Sequence, residues 1–277
     1  MDLEAMTYRR EGSILRIEQV CKSYGSKEVL SNVNTTIQDL KIEGFVAGQV
    51  VAFLGPSGVG KSTLLRILAG VEKPTSGGVY LDGSDNPIAA GQVGVVFQRF
   101  PLFPNRTVIG NLVVAGMAAG LKEADAESRA IAYLREFSML SDMHSYLSQL
   151  SGGMQQRIAL IRQLINQEGR SSDGVHLLLL DEPFSALDGA NAQLACQTIR
   201  KVADRSEKNT VIVVTHDVRA ALSVADMIWV MGKSPEGKGG TIIKELDVCG
   251  SGFCWMAGAF KTKEFCEIEA EIQAYGV

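Results

Sequence analysis

The sequence predicts an α/β fold built on a mostly parallel sheet, with an antiparallel β subdomain and a small helical subdomain attached. Three observations carry this. Continuous apolar runs at 50–54, 177–180 and 211–214 are of strand length and suit strands buried on both faces of a parallel sheet. Helical stretches at 62–69, 123–136, 153–166, 190–203 and 218–224 alternate with these runs and with further apolar stretches at 93–97, 175–180 and 227–231. Turn pairs Tyr24-Gly25, Gly77-Gly78 and Asp82-Gly83 bracket short strands at 14–20 and 79–81, the pattern of antiparallel pairing.

Residues 14–99 and 150–248 are expected to form the core with its antiparallel subdomain, 100–149 a helical lobe, and 249–277 a C-terminal extension, all in one domain. In the extension, 263–272 reads as an amphipathic helix with Phe265, Ile268 and Ile272 on one stripe. Fewer than 30 residues follow 248, short of the roughly 50 that an independent domain needs.

Composition excludes several classes. Lys+Arg 27 against Asp+Glu 31 leaves a net charge of −4, so no basic excess marks a nucleic-acid binder, and no nucleic-acid partner is expected. A hydrophobic fraction of 46% is too high for a disordered chain. Residues 1–11 are polar and lack the apolar stretch of a targeting segment, and the apolar runs fall far short of the ~18 residues of a membrane span. A membrane role is therefore expected to come through a partner. Five cysteines, none in a CxxC pair, read as free thiols in a reducing compartment; Cys249 and Cys254 lack the nearby histidine of a zinc site.

Chemistry concentrates first at Gly55, Pro56, Ser57, Gly58, Val59, Gly60, Lys61, Ser62 and Thr63, which fit GxxxxGK[ST] between a buried strand and a helix. The glycines let the backbone curl around phosphate oxygens, with N–H groups pointing inward at the positive end of the following helix. Lys61 adds a mobile charge for the outer phosphates, and Ser62 offers a hydroxyl to Mg²⁺. This is a nucleoside triphosphate site. At the end of the 177–180 run stand Asp181 and Glu182. Asp181 is placed to hold Mg²⁺ and Glu182 to reach the water that attacks the γ-phosphate, a general-base role worth about 10²–10⁴-fold.

Residues 150–157, Leu-Ser-Gly-Gly-Met-Gln-Gln-Arg, complete an ordered set that resembles the nucleotide-binding subunit of ABC transporters. Read alone, Ser151 is a helix N-cap, and the bare glycines after it are an anion site. The resemblance implies more: that Ser151, Gly152, Gly153 and Gln155 face the γ-phosphate held by an opposite subunit, in a head-to-tail dimer with two ATP molecules at the interface. It matches Tyr24 to the aromatic that stacks on adenine, Gln98 to the glutamine that joins the Mg²⁺ site to the membrane partner, Asp188 to the loop crossing the dimer, and His216 to the catalytic switch histidine. Without the resemblance, Tyr24 is a turn residue, Gln98 a polar strand end and His216 a helix-start residue. The resemblance spans roughly residues 14–248.

The implied activity is ATP hydrolysis with Mg²⁺ that powers transport through a separate integral membrane permease. The subunit would work in a homodimer or with a paired ATPase subunit, peripherally on the cytoplasmic face of the inner membrane. One cassette without a membrane span is closer to an importer, which implies an extracytoplasmic solute-binding protein. Subunits for nitrate, sulfonate, taurine or polar amino-acid uptake are the most similar in look. An export or lipid-extraction ATPase and a soluble family ATPase are the alternatives. Phe97–Pro104 resembles the segment that receives a permease coupling helix. Two stretches depart from the family's usual length, 38–48 and 166–174, and both are expected to be surface loops.

Overall fold

A computed structural model describes residues 7–43, 48–98, 102–168, 176–185, 187, 189–253 and 259–277. In chain order the strands are β1 (Tyr8–Tyr24), β2 (Lys27–Ile42), β3 (Gln49–Leu54), β4 (Ser76–Leu81), β5 (Gly94–Val96), β6 (His176–Asp181), β7 (Asn209–Thr215), β8 (Met227–Lys233) and β9 (Gly240–Asp247). The helices are α1 (Lys61–Leu68), α2 (Val108–Ala118), α3 (Glu123–Glu136), α4 (Gly152–Glu168), α5 (Gly189–Ala203), α6 (Val218–Leu222) and α7 (Lys263–Gln273).

The strands form one mixed sheet in the order β4-β1-β2-β9-β8-β3-β7-β6-β5. Strands β8, β3, β7, β6 and β5 run parallel. Strands β4, β1 and β2 pair antiparallel, as do β8 and β9. The antiparallel part joins the parallel part through a parallel contact of β2 with β9 at Leu30 and Gly240.

Alternation along the central strands explains why their apolar runs are unbroken. Val50, Ala52 and Leu54 of β3 face one core with Leu178, Leu180, Val211 and Val213, against Ile158 and Ile161 of α4, Ile199 of α5 and Phe265 of α7. Val51 and Phe53 face the opposite core with Leu177, Leu179, Ile212 and Val214, against Leu64, Leu65 and Leu68 of α1 and Leu15, Ile17 and Leu30 of the antiparallel strands. Each strand must be apolar on both sides to fill both cores. Truncating one of these fully buried leucines to alanine costs roughly 2–5 kcal/mol.

Between β5 and β6 the chain makes α2, α3 and α4. Fully buried Asn111 organises the entry to α2: its Oδ1 accepts the Phe103 N–H at 2.7 Å, and its Nδ2 donates to the carbonyls of Phe103 and Thr107 at 3.1 and 3.0 Å. Thr107 caps α2 by accepting the Gly110 N–H at 3.2 Å, worth about 1 kcal/mol. Helix α4 bridges this lobe and the sheet, with Arg157 donating to the Phe137 carbonyl at 3.2 Å and Gln163 to the Val95 carbonyl of β5 at 2.8 Å.

Two expectations change. Of the stretch 38–48, residues 44–47 lie outside the described residues and 38–42 is strand, not loop: β1 and β2 run past the two main cores to a small cluster at Leu40, Ile42 and Cys249, pairing Tyr8 with Ile42 and Arg10 with Leu40. The polar N-terminal segment supplies the partner strand, so those backbone groups are satisfied by a ladder instead of by water. In the second stretch, 166–168 is the last turn of α4; residues 169–174 lie outside the described residues.

Candidate functional site

The phosphate loop sits between β3 and α1. Gly58 and Gly60 hold left-handed backbone, at φ 81° and 109°. A Cβ at Gly60 would meet Leu30 Cδ2 at 2.7 Å, and one at Gly55 would meet the Met231 carbonyl oxygen at 2.8 Å. Conformation requires glycine at 58 and 60, and space requires it at 55. Gly60 brings no side-chain cap to α1, so the first-turn N–H groups form a bare anion-attracting helix start. Lys61 is buried, and its Nζ donates to the Gly55 and Pro56 carbonyls at 2.6 and 3.2 Å. Burial pushes its ammonium below the usual lysine range, opposed by the charges of Glu182 and Asp181. Ser57 and Ser62 are exposed, Thr63 is half-buried and Val59 fixes the loop from the core.

The acidic strand end faces this loop. Residue for residue, β6 pairs parallel with β7, Asp181 beside Val214. Glu182 follows in left-handed backbone, φ 49°, with its N–H donating to the Val214 carbonyl at 2.7 Å. A non-glycine residue in that region carries strain of about 1–3 kcal/mol, the kind of cost that clusters at functional sites. The turn aims the Glu182 carboxylate at two partners: Oε2 lies 2.9 Å from His216 Nδ1, and Oε1 lies 3.8 Å from Lys61 Nζ.

Asp181 is different. Burial, then the neighbouring Glu182 charge, pushes its carboxyl above the usual range; Arg66, Lys61 and a hydrogen bond with Ser62 oppose this. Its Oδ1 is buried without a hydrogen-bond partner. A buried carboxylate oxygen with free lone pairs beside a serine hydroxyl is a donor set that fits Mg²⁺. Val96 pairs with Leu180, which places Gln98, just past β5, near Asp181, the last residue of β6, with Gln98 exposed.

Tyr24 ends β1 at the tip of the β1–β2 hairpin, with its side chain largely exposed. Ser151 caps α4, its Oγ accepting the Met154 N–H at 3.3 Å, and Ser151 and Gly152 are exposed. Gln155 turns inward, donating from Nε2 to the Leu147 and Leu150 carbonyls at 3.1 and 3.3 Å, so it braces the turn that presents Ser151. Thus Lys61, Ser62, Asp181, Glu182 and His216 converge, whereas Ser151 and Gly152 point outward from their own helix start. Asp188 and Phe100 lie outside the described residues. Sequence reading missed Glu72, which touches Tyr24; it belongs to no motif, and only the packing of the α1–β4 connection against β1 reveals it.

A glycine-shaped phosphate cradle opposite an acidic strand end, at the C-terminal ends of the parallel strands, defines a P-loop nucleotide-binding fold. The profile described as ABC transporter matches residues 30–185, and the chain belongs to that family. Relatives include the sulfate/thiosulfate import ATP-binding protein CysA of Synechococcus elongatus, 38% identical over 78% of this chain and 59% of its own length. The spermidine/putrescine import ATP-binding protein PotA of Pasteurella multocida is 36% identical over 79% of this chain and 56% of its own length. The Fe(3+) ions import ATP-binding protein FbpC of Brucella abortus is 37% identical over 82% and 60%. The chain thus spans about three-fifths of the length of the curated relatives it matches. Among solved structures, the dimeric, post-hydrolysis ATP-binding cassette MJ0796 with ADP and Pi has a TM-score of 0.67 at 28% identity, over 85% of this chain and 99% of that one. The fold also matches cbiO1 from Clostridium perfringens, TM-score 0.71, at 23% identity over 95% of this chain and 96% of that one. Among the described residues no helix is long and apolar enough to cross a membrane.

Proposed function

We propose that this chain binds ATP with Mg²⁺ and hydrolyses it to drive solute import through a separate membrane permease, supplied by an extracytoplasmic binding protein. The chain would act on the cytoplasmic face of the membrane, paired with a second copy or a similar subunit. The observation that carries the reading is the convergence of Lys61, Asp181, Glu182 and His216 on one bare helix start. The roles of the relatives support import: all three are import ATP-binding proteins, though for sulfate or thiosulfate, spermidine or putrescine, and Fe(3+) ions. Identity to them is nearly equal, so the transported solute is a matter for the permease and binding protein.

In this reading the N–H groups of the phosphate loop and the Lys61 ammonium hold the β- and γ-phosphates, and the Tyr24 ring stacks on the base. Ser62, Asp181 and Gln98 would hold Mg²⁺, which neutralises charge on the outer phosphates. Glu182 takes the proton of the attacking water, and His216, within hydrogen-bond reach of its Oε2, fixes that carboxylate. The start of α4, exposed at Ser151 and Gly152 and continued by Gly153, would offer its N–H groups to the γ-phosphate held by the partner subunit.

Phosphate release from MgATP by the purified chain tests the reading. Wild type should turn over, and Lys61→Ala should lose both turnover and most nucleotide affinity. Near-normal hydrolysis by Lys61→Ala would remove the phosphate-loop assignment.

A further inference from the structure

Tyr24 is held by more than its own backbone. Lys22 and Tyr24 are two apart at the end of β1. The Tyr24 hydroxyl donates to Glu72 Oε1. Lys22 Nζ lies 3.0 Å from the same carboxylate oxygen, donates to the Lys73 carbonyl at 2.7 Å and sits over the Tyr24 ring at 5.0 Å from its centroid. Glu72 is itself placed by the backbone: its N–H and that of Val71 both donate to the Arg66 carbonyl at the end of α1, at 3.2 and 3.1 Å. Two further bonds pin the end of β1 to the same connection, Thr75 N–H to the Cys21 carbonyl at 2.8 Å and Ser23 N–H to Thr75 Oγ1 at 3.0 Å. Helix α1 opens at the phosphate loop and ends at the turn that presents Glu72.

An unanchored tyrosine at a hairpin tip loses rotamer freedom when a base stacks on it, and that loss weakens binding. Here a cation lies over the ring, the hydroxyl is fixed by a carboxylate, and nearly half of the residue's surface stays exposed for a base. We infer that Glu72 and Lys22 are positioning residues that preset the Tyr24 ring for the nucleotide base, and that α1 ties this clamp rigidly to the phosphate loop. The inference rests on the proposed base-stacking role of Tyr24. Glu72 stays ionised for the task, because the Tyr24 hydroxyl first, and Lys22 after it, hold its carboxyl below the usual range.

The test compares two probes by calorimetric titration, MgATP and magnesium tripolyphosphate, the second having no base. Glu72→Ala and Tyr24→Phe should each weaken MgATP about 3–10-fold and leave tripolyphosphate within about 2-fold. Combining them should add little, because both remove the same contact. Glu72→Gln, whose amide oxygen still accepts the hydroxyl, should restore much of the ATP affinity. Equal loss for both probes would make Glu72 a purely structural residue and overturn the inference, as would unchanged ATP binding in Glu72→Ala and Tyr24→Phe while Tyr24→Ala loses it. If Tyr24→Ala leaves the ratio of the two affinities untouched, the base-stacking role itself fails and the inference falls with it.

Discussion

Glu182→Gln separates binding from chemistry. The amide is nearly the same shape as the carboxylate, so the left-handed turn and the contact with His216 can persist, but an amide cannot accept the proton of the attacking water. The expected loss in turnover is about 10²–10⁴-fold, equivalent to about 3–5 kcal/mol of barrier. Nucleotide binding should move the other way or not at all. Glu182 Oε1 stands 3.8 Å from Lys61 Nζ, and both groups are largely buried; at an effective dielectric near 20 their attraction is on the order of 4 kcal/mol. Phosphate must compete with that attraction for Lys61, and the variant removes the competitor. ATP should then accumulate unhydrolysed. If the Ser151–Gly153 helix start contacts the γ-phosphate held by a second copy, ATP bridges the two. A ligand shifts an equilibrium only by its preference for one state, so a 100-fold preference for the closed pair at each of two sites raises the dimerisation constant by about 10⁴. Sedimentation of Glu182→Gln should show a monomer without nucleotide, a dimer with ATP and no dimer with ADP. Adding Ser151→Arg should abolish the dimer and preserve ATP binding. A sedimentation pattern indifferent to ATP in both variants would refute the shared-site reasoning, whatever became of the fold.

Two further outcomes are expected. Phe103 is exposed and flanked by the Arg162 and Arg106 guanidiniums, 5.2 and 5.9 Å from its ring; Phe103→Glu should spare folding and ATP affinity but abolish copurification with a permease, and intact assembly would leave it an ordinary surface residue. Asp226 is fully buried and accepts from Arg200 Nη1 at 2.6 Å and from the Val50 N–H at 2.7 Å, while Arg200 also pairs with Asp204 at 2.7 Å; Asp226→Ala removes the acceptor of the buried Val50 N–H and one of two carboxylates on Arg200 and should cost roughly 1–3 kcal/mol in urea unfolding, and a change below about 0.5 kcal/mol would show that neither contact contributes.

Local chemistry made part of this protein legible in its sequence. The strands β3, β6, β7 and β8 announce themselves because burial on both faces leaves no polar position to interrupt them. The phosphate loop is legible because close backbone approach excludes every side chain but glycine's, and the acidic pair because it ends an apolar strand. Other elements were hidden. Helix α2, Val108–Ala118, is apolar nearly all round and carries two glycines, so it shows no helical stripe. Strand β2 is polar at many positions because one of its faces is largely open to solvent, with Asn32, Asn34, Thr36 and Gln38 exposed. The ladder that carries β1 and β2 out to Tyr8 and Ile42 depends on two segments about thirty residues apart, neither of which is strand-like alone. The site divides along the same line. Residue types at 61, 181, 182 and 216 were set by the sequence, because phosphate, cation and proton transfer each demand a particular group. That Glu182 bends into left-handed backbone toward both Lys61 and His216, that one Asp181 oxygen is left unpartnered, and that Glu72 reaches the Tyr24 hydroxyl were decided only by the tertiary structure. Each depends on the parallel register of β6 with β7 or on the docking of the α1–β4 connection against β1, and such long-range contacts leave no periodicity in the chain.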